Sequence, residues 1–391
     1  MSYWRNDAIN RVNLHTTVQA LAQSAGGVFF FVLLLRAGIS VPHSLLSMAG
    51  IFAIRFVLRP LVLPVAIRFG LKPLMIVGGV FMALQYPILA EIDGIGPMLF
   101  ALVAVLAVAD ILYWVAYNAY FAAIGDPEHR GHQIGAREAM VSLTGIVGPF
   151  VGAWALVTAG TRTSFAIVAV VQALSVLPLF AVPNVAVTPH AAGMVRSARK
   201  GALLYALDGW FDAAFLFVWQ MALFLALGEN IPAYGGAMAL AGLVAAAFSL
   251  LLGRHVDLGH GRRAVALAYG IAAAVTTLRV LALGAPWLAV IANACGAVVL
   301  PLILPALGTA TYNLAKASPD PFRFSLVAEG GWDVGCGVCC VLCAVLIAMG
   351  APLSAALLLA LPALGIAMLV LWRYFPARGM AFPAPAQTMS R

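Results

Sequence analysis

The sequence predicts an all-α polytopic membrane protein, with twelve transmembrane helices arranged as two pseudo-symmetric six-helix bundles. Three observations predict it. Of 391 residues, 63% are hydrophobic and 9% charged, whereas ordinary globular chains carry about 25% charged residues. The apolar residues come in uniform runs, each long enough for a helix rising about 1.5 Å per residue to cross about 30 Å of hydrocarbon. Such runs are too long for barrel strands of about ten alternating residues. Finally, Lys and Arg collect in alternate loops.

The elements follow in order. The polar start MSYWRNDAINRVN leads into an apolar stretch too long for a signal-peptide core, which reads as an uncleaved first helix. The spans are expected near 14–35, 41–67, 72–90, 97–124, 136–159, 163–183, 201–227, 232–253, 264–284, 286–315, 323–349 and 352–374. Turn chemistry separates them: Arg36-Ala-Gly, Phe69-Gly70, Gly94-Ile-Gly-Pro97, Gly160-Thr-Arg, Gly228-Glu-Asn, Gly284-Ala-Pro286 and Gly350-Ala-Pro352. With the N-terminus in the cytoplasm, seventeen Lys and Arg fall in cytoplasmic segments and two, Arg36 and Arg162, outside. This asymmetry puts both termini inside. The net charge of +8 then reflects topology, and nucleic acid is not expected as a partner.

The polar stretch NVAVTPHAAGMVRSARK divides the spans six and six. It predicts an N-terminal bundle over 1–184, a cytoplasmic linker over 185–200 and a C-terminal bundle over 201–391. An internal echo agrees with a repeat. Tyr117-Asn118, Asp126-Pro127, Arg130 and Glu138 resemble Tyr312-Asn313, Asp320-Pro321, Arg323 and Glu329 about half a chain later, with short gaps. The five cysteines all fall in apolar segments and read as small packing residues. No metal, cofactor or catalytic constellation is expected.

Twelve spans split in this way resemble the major facilitator superfamily. The loop after span eight, Gly253-Arg-His-Val-Asp257-Leu-Gly-His-Gly261-Arg262-Arg263, is similar to that family's loop signature with one residue added. The loop after span two keeps Arg68, Gly70 and Lys72 but lacks the first Gly and the Asp. Gly145-Ile-Val-Gly148-Pro149-Phe-Val-Gly152 in span five is similar to the Gly-Pro motif of the drug/proton antiporter branch. Its small residues let helices approach closely, and its proline bends the helix. The resemblance implies a secondary transporter, a monomer in the bilayer, moving a small solute together with protons, and the Ala-, Gly- and Val-rich spans with very short loops suggest a bacterial inner membrane.

Charges inside spans need a partner, water or a function, because each costs at least about 2.5–3.5 kcal/mol at the bilayer centre. Arg55/Arg59, Asp208/Asp212 and Glu329/Asp333 are i, i+4 pairs, each on one helix face. The resemblance packs span two against span eleven. Arg55 and Arg59 are therefore expected to meet Glu329 and Asp333 as a gate between the halves. Arg279 is expected to snorkel from the outer end of span nine.

The resemblance also makes spans one, four, seven and ten line a central cavity. Gln19 and Gln23 (with His15), Asp110, Tyr113, Tyr117 and Asn118, and Asp208 and Asp212 (with Tyr205 and Trp219) form its expected stripes. Span ten is expected to add Asn293, Thr309, Tyr312 and Asn313. Buried carboxylates beside aromatic rings can exchange protons and can attract cationic or hydroxyl-rich solutes. Efflux of amphipathic compounds leads. Uptake of a polar metabolite (sugar, nucleoside or siderophore-like) is the alternative, and a transporter-like sensor or membrane enzyme the rival from another class.

Overall fold

The computed structural model describes residues 6–124, 130–189, 194–255, 261–318 and 320–375. Among the described residues every regular element is helical. Twelve helices are long and apolar enough to cross a membrane. They are spans one to twelve: Asp7–Arg36, Val41–Phe69, Leu71–Ala90, Pro97–Phe121, Met140–Thr158, Gly160–Phe180, Ala198–Ala226, Ile231–Ser249, Gly261–Ala282, Pro286–Lys316, Pro321–Ala348 and Leu353–Tyr374. Span one begins seven residues before its expected start. Asn6 caps it, its side chain accepting from the Ile9 amide at 3.1 Å, and so recruits a polar turn to the helix. The helix of span seven likewise begins at Met194, inside the expected linker.

The two bundles are built alike at their edges. In the first, the turn after span two passes through Gly70 at φ 79°, a left-handed conformation that favours glycine. Asn184, beyond span six, grips this turn. Its Oδ1 accepts from the Lys72 amide at 3.1 Å, and its Nδ2 donates to the Phe69 carbonyl at 2.8 Å. Lys72 Nζ donates to the Val182 carbonyl at 3.0 Å. In the second bundle, Arg262 after span eight reaches the end of span twelve. It donates to the Trp372 and Phe375 carbonyls at 3.0 and 2.8 Å.

Spans seven and eleven form the closest pair, and small residues explain why. A Cβ on Gly331 or Gly335 would run into the carbonyls of Ala202 and Ala206, and one on Gly209 into that of Trp332. Fully buried Cys336 donates to the Gly209 carbonyl at 3.0 Å and serves the same contact, whereas Cys343 reaches the Ala356 carbonyl of span twelve at 3.8 Å. Because the obstacle at Gly335 is backbone, Gly335→Val is expected to cost about 1–3 kcal/mol or more. A lowered melting temperature of the purified protein in detergent would report it.

Span five lies between the bundles. Gly148 and Gly152 lie against Ser24 and Ala25 of span one, while Gly145 and Pro149 present carbonyls to Gly242 and Gly235 of span eight. On the side away from the linker, Tyr234 of span eight donates to the Val28 carbonyl of span one at 3.1 Å. Phe217 of span seven meets Phe31 and Phe52 there, with centroids 5.9 and 6.0 Å away.

Candidate functional site

Spans six, ten and twelve are each interrupted briefly, but spans one and seven, which hold corresponding places in the two bundles, change helix type partway across. Span one breaks after Ala25 into a 3₁₀ turn, Gly27–Phe29, before resuming at Phe30. Span seven widens into a π-helical turn, Ala213–Val218, directly after Asp212. Irregular backbone inside a membrane protein is tolerated only where protein or water satisfies it, and matching interruptions in two repeats point to a binding site.

A cavity of about 370 Å³ lies between these two breaks. Gln23, Gln85, Gln220, Arg55 and Asp110 supply its polar groups. Phe30, Phe31, Phe52, Tyr86, Phe217 and Trp332 supply aromatic walls. Its volume falls in the range of sites for small molecules, and its mix of apolar wall and few polar groups is typical of them.

The cavity floor opens onto a run of buried charges that crosses from one bundle to the other. Arg55 Nη1 lies 3.1 Å from Asp110 Oδ2, and Arg55 Nη2 lies 3.0 Å from Asp333 Oδ1. Asp333 Oδ2 also takes two nitrogens of Arg59, with Nε at 3.0 Å. Arg59 Nη1 reaches Glu329 Oε2 at 3.4 Å and the Leu326 carbonyl at 3.3 Å. Asn118 Nδ2 then donates to Glu329 Oε1 at 3.3 Å. The result is a ladder, Asp110–Arg55–Asp333–Arg59–Glu329–Asn118, holding three carboxylates and two guanidiniums. Side chains of both arginines and of Asp333 are at most 7% exposed, and that of Asp110 is 24% exposed toward the cavity. Phe52 and Trp332 flank Arg55 at 5.5 and 5.3 Å, filling the space its unpaired Nε faces.

At its other end the ladder touches a second cavity of about 660 Å³, lined by Asn118, Tyr205, Thr311, Tyr312, Lys316 and the start of span eleven. Charged groups therefore bridge the whole distance between two solvent-sized spaces, with each end partnered by a group that faces one of them.

Comparison with known proteins accords with this architecture. Residues 16–202 match the family model described as Major Facilitator Superfamily. A little under half of the chain is thus similar to the major facilitator superfamily. Its fold is similar to the crystal structure of the human organic anion transporter MFSD10 (TETRAN), at a TM-score of 0.62 and 15% identity, over 93% of this chain and 99% of that one. No curated protein sequence matches it. Together with the twelve apolar helices, this similarity supports membrane transport in general.

Within this chain, the residues expected in the cavity divide three ways. Gln23 and Asp110 line it. Asn118 lines the second cavity instead. Gln19, Tyr113 and Tyr117 are buried inside the first bundle. There His15 Nδ1 must donate to the Ser175 carbonyl at 2.6 Å, leaving Nε2 of the neutral ring to accept from the Tyr113 hydroxyl at 2.7 Å. Tyr117 takes hydrogen bonds from Thr16 at 3.1 Å and Arg137 at 3.0 Å, and Gln19 donates to Met82 Sδ at 3.3 Å. One polar face of span four thus meets span two at the depth of Asp110 and span one a turn or two later. Crossing helices present the same stripe to different neighbours at different depths.

Span seven needs a similar correction. Asp208 lies in a tight cleft of the second bundle beside Tyr269, Phe211 and Leu364, away from the central cavity. Asp212 sits behind the cavity wall, where its Oδ2 accepts from Trp332 Nε1 at 3.3 Å. Span ten does not line the central cavity. Asn293 is tied into the second bundle by Trp219 at 3.0 Å and the Ala237 carbonyl at 3.0 Å, and spans two, three and eleven take that place on the wall. Arg279 does not snorkel. It is 3% exposed and turned inward against Phe215 and Trp219.

Of the loop-motif residues, Arg68 lies over the Phe69 ring at 5.3 Å. Gly70, Lys72 and Arg262 make the edge contacts already given, and Arg263 is exposed. Gly253 lies in the helix Ile231–His255, and Asp257 lies outside the described residues. Sequence reasoning missed Gln85, Gln220, Phe31, Phe217 and Trp332. The available signal was their position at mid-span on helices flanking the two breaks, but neutral residues inside apolar runs carry no visible cost that singles them out.

Proposed function

We propose that this protein is a proton-coupled secondary transporter that exports small amphipathic compounds by alternating access. Its halves, 1–184 and 201–391, would rock about the central cavity, with 185–200 as a cytoplasmic linker and both termini inside a bacterial inner membrane. The ion-pair ladder carries this reading. With all groups ionised it holds one negative charge more than it balances, so uptake of a single proton would bring it to neutrality. Neutralising a group in a sparsely solvated network changes the cost of separating its partners. Separating span two from span eleven would open the linker side, since Arg59, Asp333 and Glu329 join them there.

The cavity wall favours an amphipathic solute. Six aromatic rings offer stacking and apolar area, three glutamines offer neutral hydrogen bonds, and Asp110 offers one partly exposed charge. A sugar-like metabolite would find fewer polar partners than its hydroxyls require.

Purified protein in proteoliposomes containing a trapped pH-sensitive dye provides the test. An imposed gradient of a transported amphipathic compound is expected to move protons against it, and a pH gradient is expected to accumulate that compound. Solute accumulation blind to the pH gradient would remove the coupling. Binding of solute with no movement of either species would leave a sensor rather than a transporter.

A further inference from the structure

Arg279 of span nine is a buried cation that, among the described residues, has no carboxylate partner. Its guanidinium stacks over Phe215 at 3.8 Å and Trp219 at 4.7 Å, and Nη1 donates to the Phe215 carbonyl at 2.5 Å. It also lies against Gly296, where any side chain would displace it. Phe215 belongs to the π-helical turn of span seven. Such a turn fits one extra residue into a helix and disturbs the regular ladder, leaving a carbonyl in search of a donor. In hydrocarbon that donor must come from the protein. Arginine suits the place: it stays charged, stacks flat on rings and offers several N–H groups in one plane.

The side chains beyond the turn show what the extra residue accomplishes. Phe217 and Gln220 face the central cavity, whereas Val218, Trp219 and Met221 are 0–2% exposed within the second bundle. We propose that Arg279 is a positioning residue for the cavity: by meeting the Phe215 carbonyl it retains the surplus residue of span seven, and this surplus sets which side chains face the solute. This rests on the reading of the cavity as the solute site. Were the same stretch regular α-helix, everything beyond it would turn by about 100°. Gln220 would then move toward the place of Met221, and Trp219 would enter the cavity. Arg279 thus acts on solute recognition from the far side of span seven without touching the cavity.

Thiol labelling tests this without any solute. Gln220→Cys is placed in the otherwise native protein, and labelling of the chain's own five cysteines is subtracted. A small thiol reagent is expected to modify the new cysteine. Adding Arg279→Met should slow that reaction at least about tenfold, since tenfold corresponds to only about 1.4 kcal/mol. Deleting Ala214 in the Arg279→Met background removes the surplus residue and should restore the rate. Unchanged labelling in Arg279→Met, or slowed labelling that the deletion does not rescue, would overturn the inference. If Arg279→Met is missing from the membrane, the deletion variant decides: its return with a reactive Gln220→Cys supports the positioning role, and loss of both proteins sinks it. Because the readout is accessibility, it stands or falls separately from whether the protein moves protons or solute.

Discussion

Arg59→Glu is expected to abolish transport while the protein still reaches the membrane. Arg59 donates to Asp333 and Glu329, and removing one partner of a buried charge pair costs about 3–5 kcal/mol. Reversal adds a third carboxylate to the same pocket, and the two spans can no longer close against each other. The geometry also selects the second-site change that should rescue it. Asp333 is shared with Arg55, which lies 3.0 Å from its other oxygen. Arginine at 333 would therefore face Arg55 even when glutamate stands at 59. Glu329 is paired with Arg59 but not with Arg55. Arg59→Glu combined with Glu329→Arg should recover measurable uptake into vesicles, and Arg59→Glu combined with Asp333→Arg should not. Equal failure of both doubles at normal membrane levels would mean the pairs only fix packing.

Asp110→Asn should separate solute movement from proton movement. Asparagine keeps the shape of the side chain and can still accept from Arg55, so the cavity floor stays in place. It removes the one ladder carboxylate that borders the central cavity. Exchange of labelled for unlabelled solute should persist within about threefold of the parent protein, a change of under about 1 kcal/mol. Proton movement driven by solute should fall below detection of the trapped dye. Unimpaired proton-driven accumulation in this variant would take Asp110 out of the coupling route.

The fold was readable because lipid imposes it. Each span must satisfy its own backbone, so length and apolarity mark helices whatever packs around them. The charges of spans two and eleven were readable for a related reason. Arg55, Arg59, Glu329 and Asp333 stand out at mid-span, each pair shares a helix face, and the structure joins them through contacts of 3.0–3.4 Å. Spacing alone fails once a helix has several neighbours. Tyr113 and Tyr117 share the polar stripe of Asp110 yet turn to His15 and Thr16, because the neighbour of span four changes along its length. Arg279 was misread because position along a span suggests reach to the interface but cannot reveal an inward donor contact. The π-helical turn that receives it reads AAFLFV, which has nothing to distinguish it from ordinary helix.

The breaks in spans one and seven flank the same void, and the charge ladder begins at its floor. Irregular backbone thus borders buried ion pairs, with Trp332 and Arg55 lining the void between them. Any molecule seated in that void would therefore touch irregular backbone on two sides and, through Arg55 and Asp110, the ion pairs that tie the two halves together.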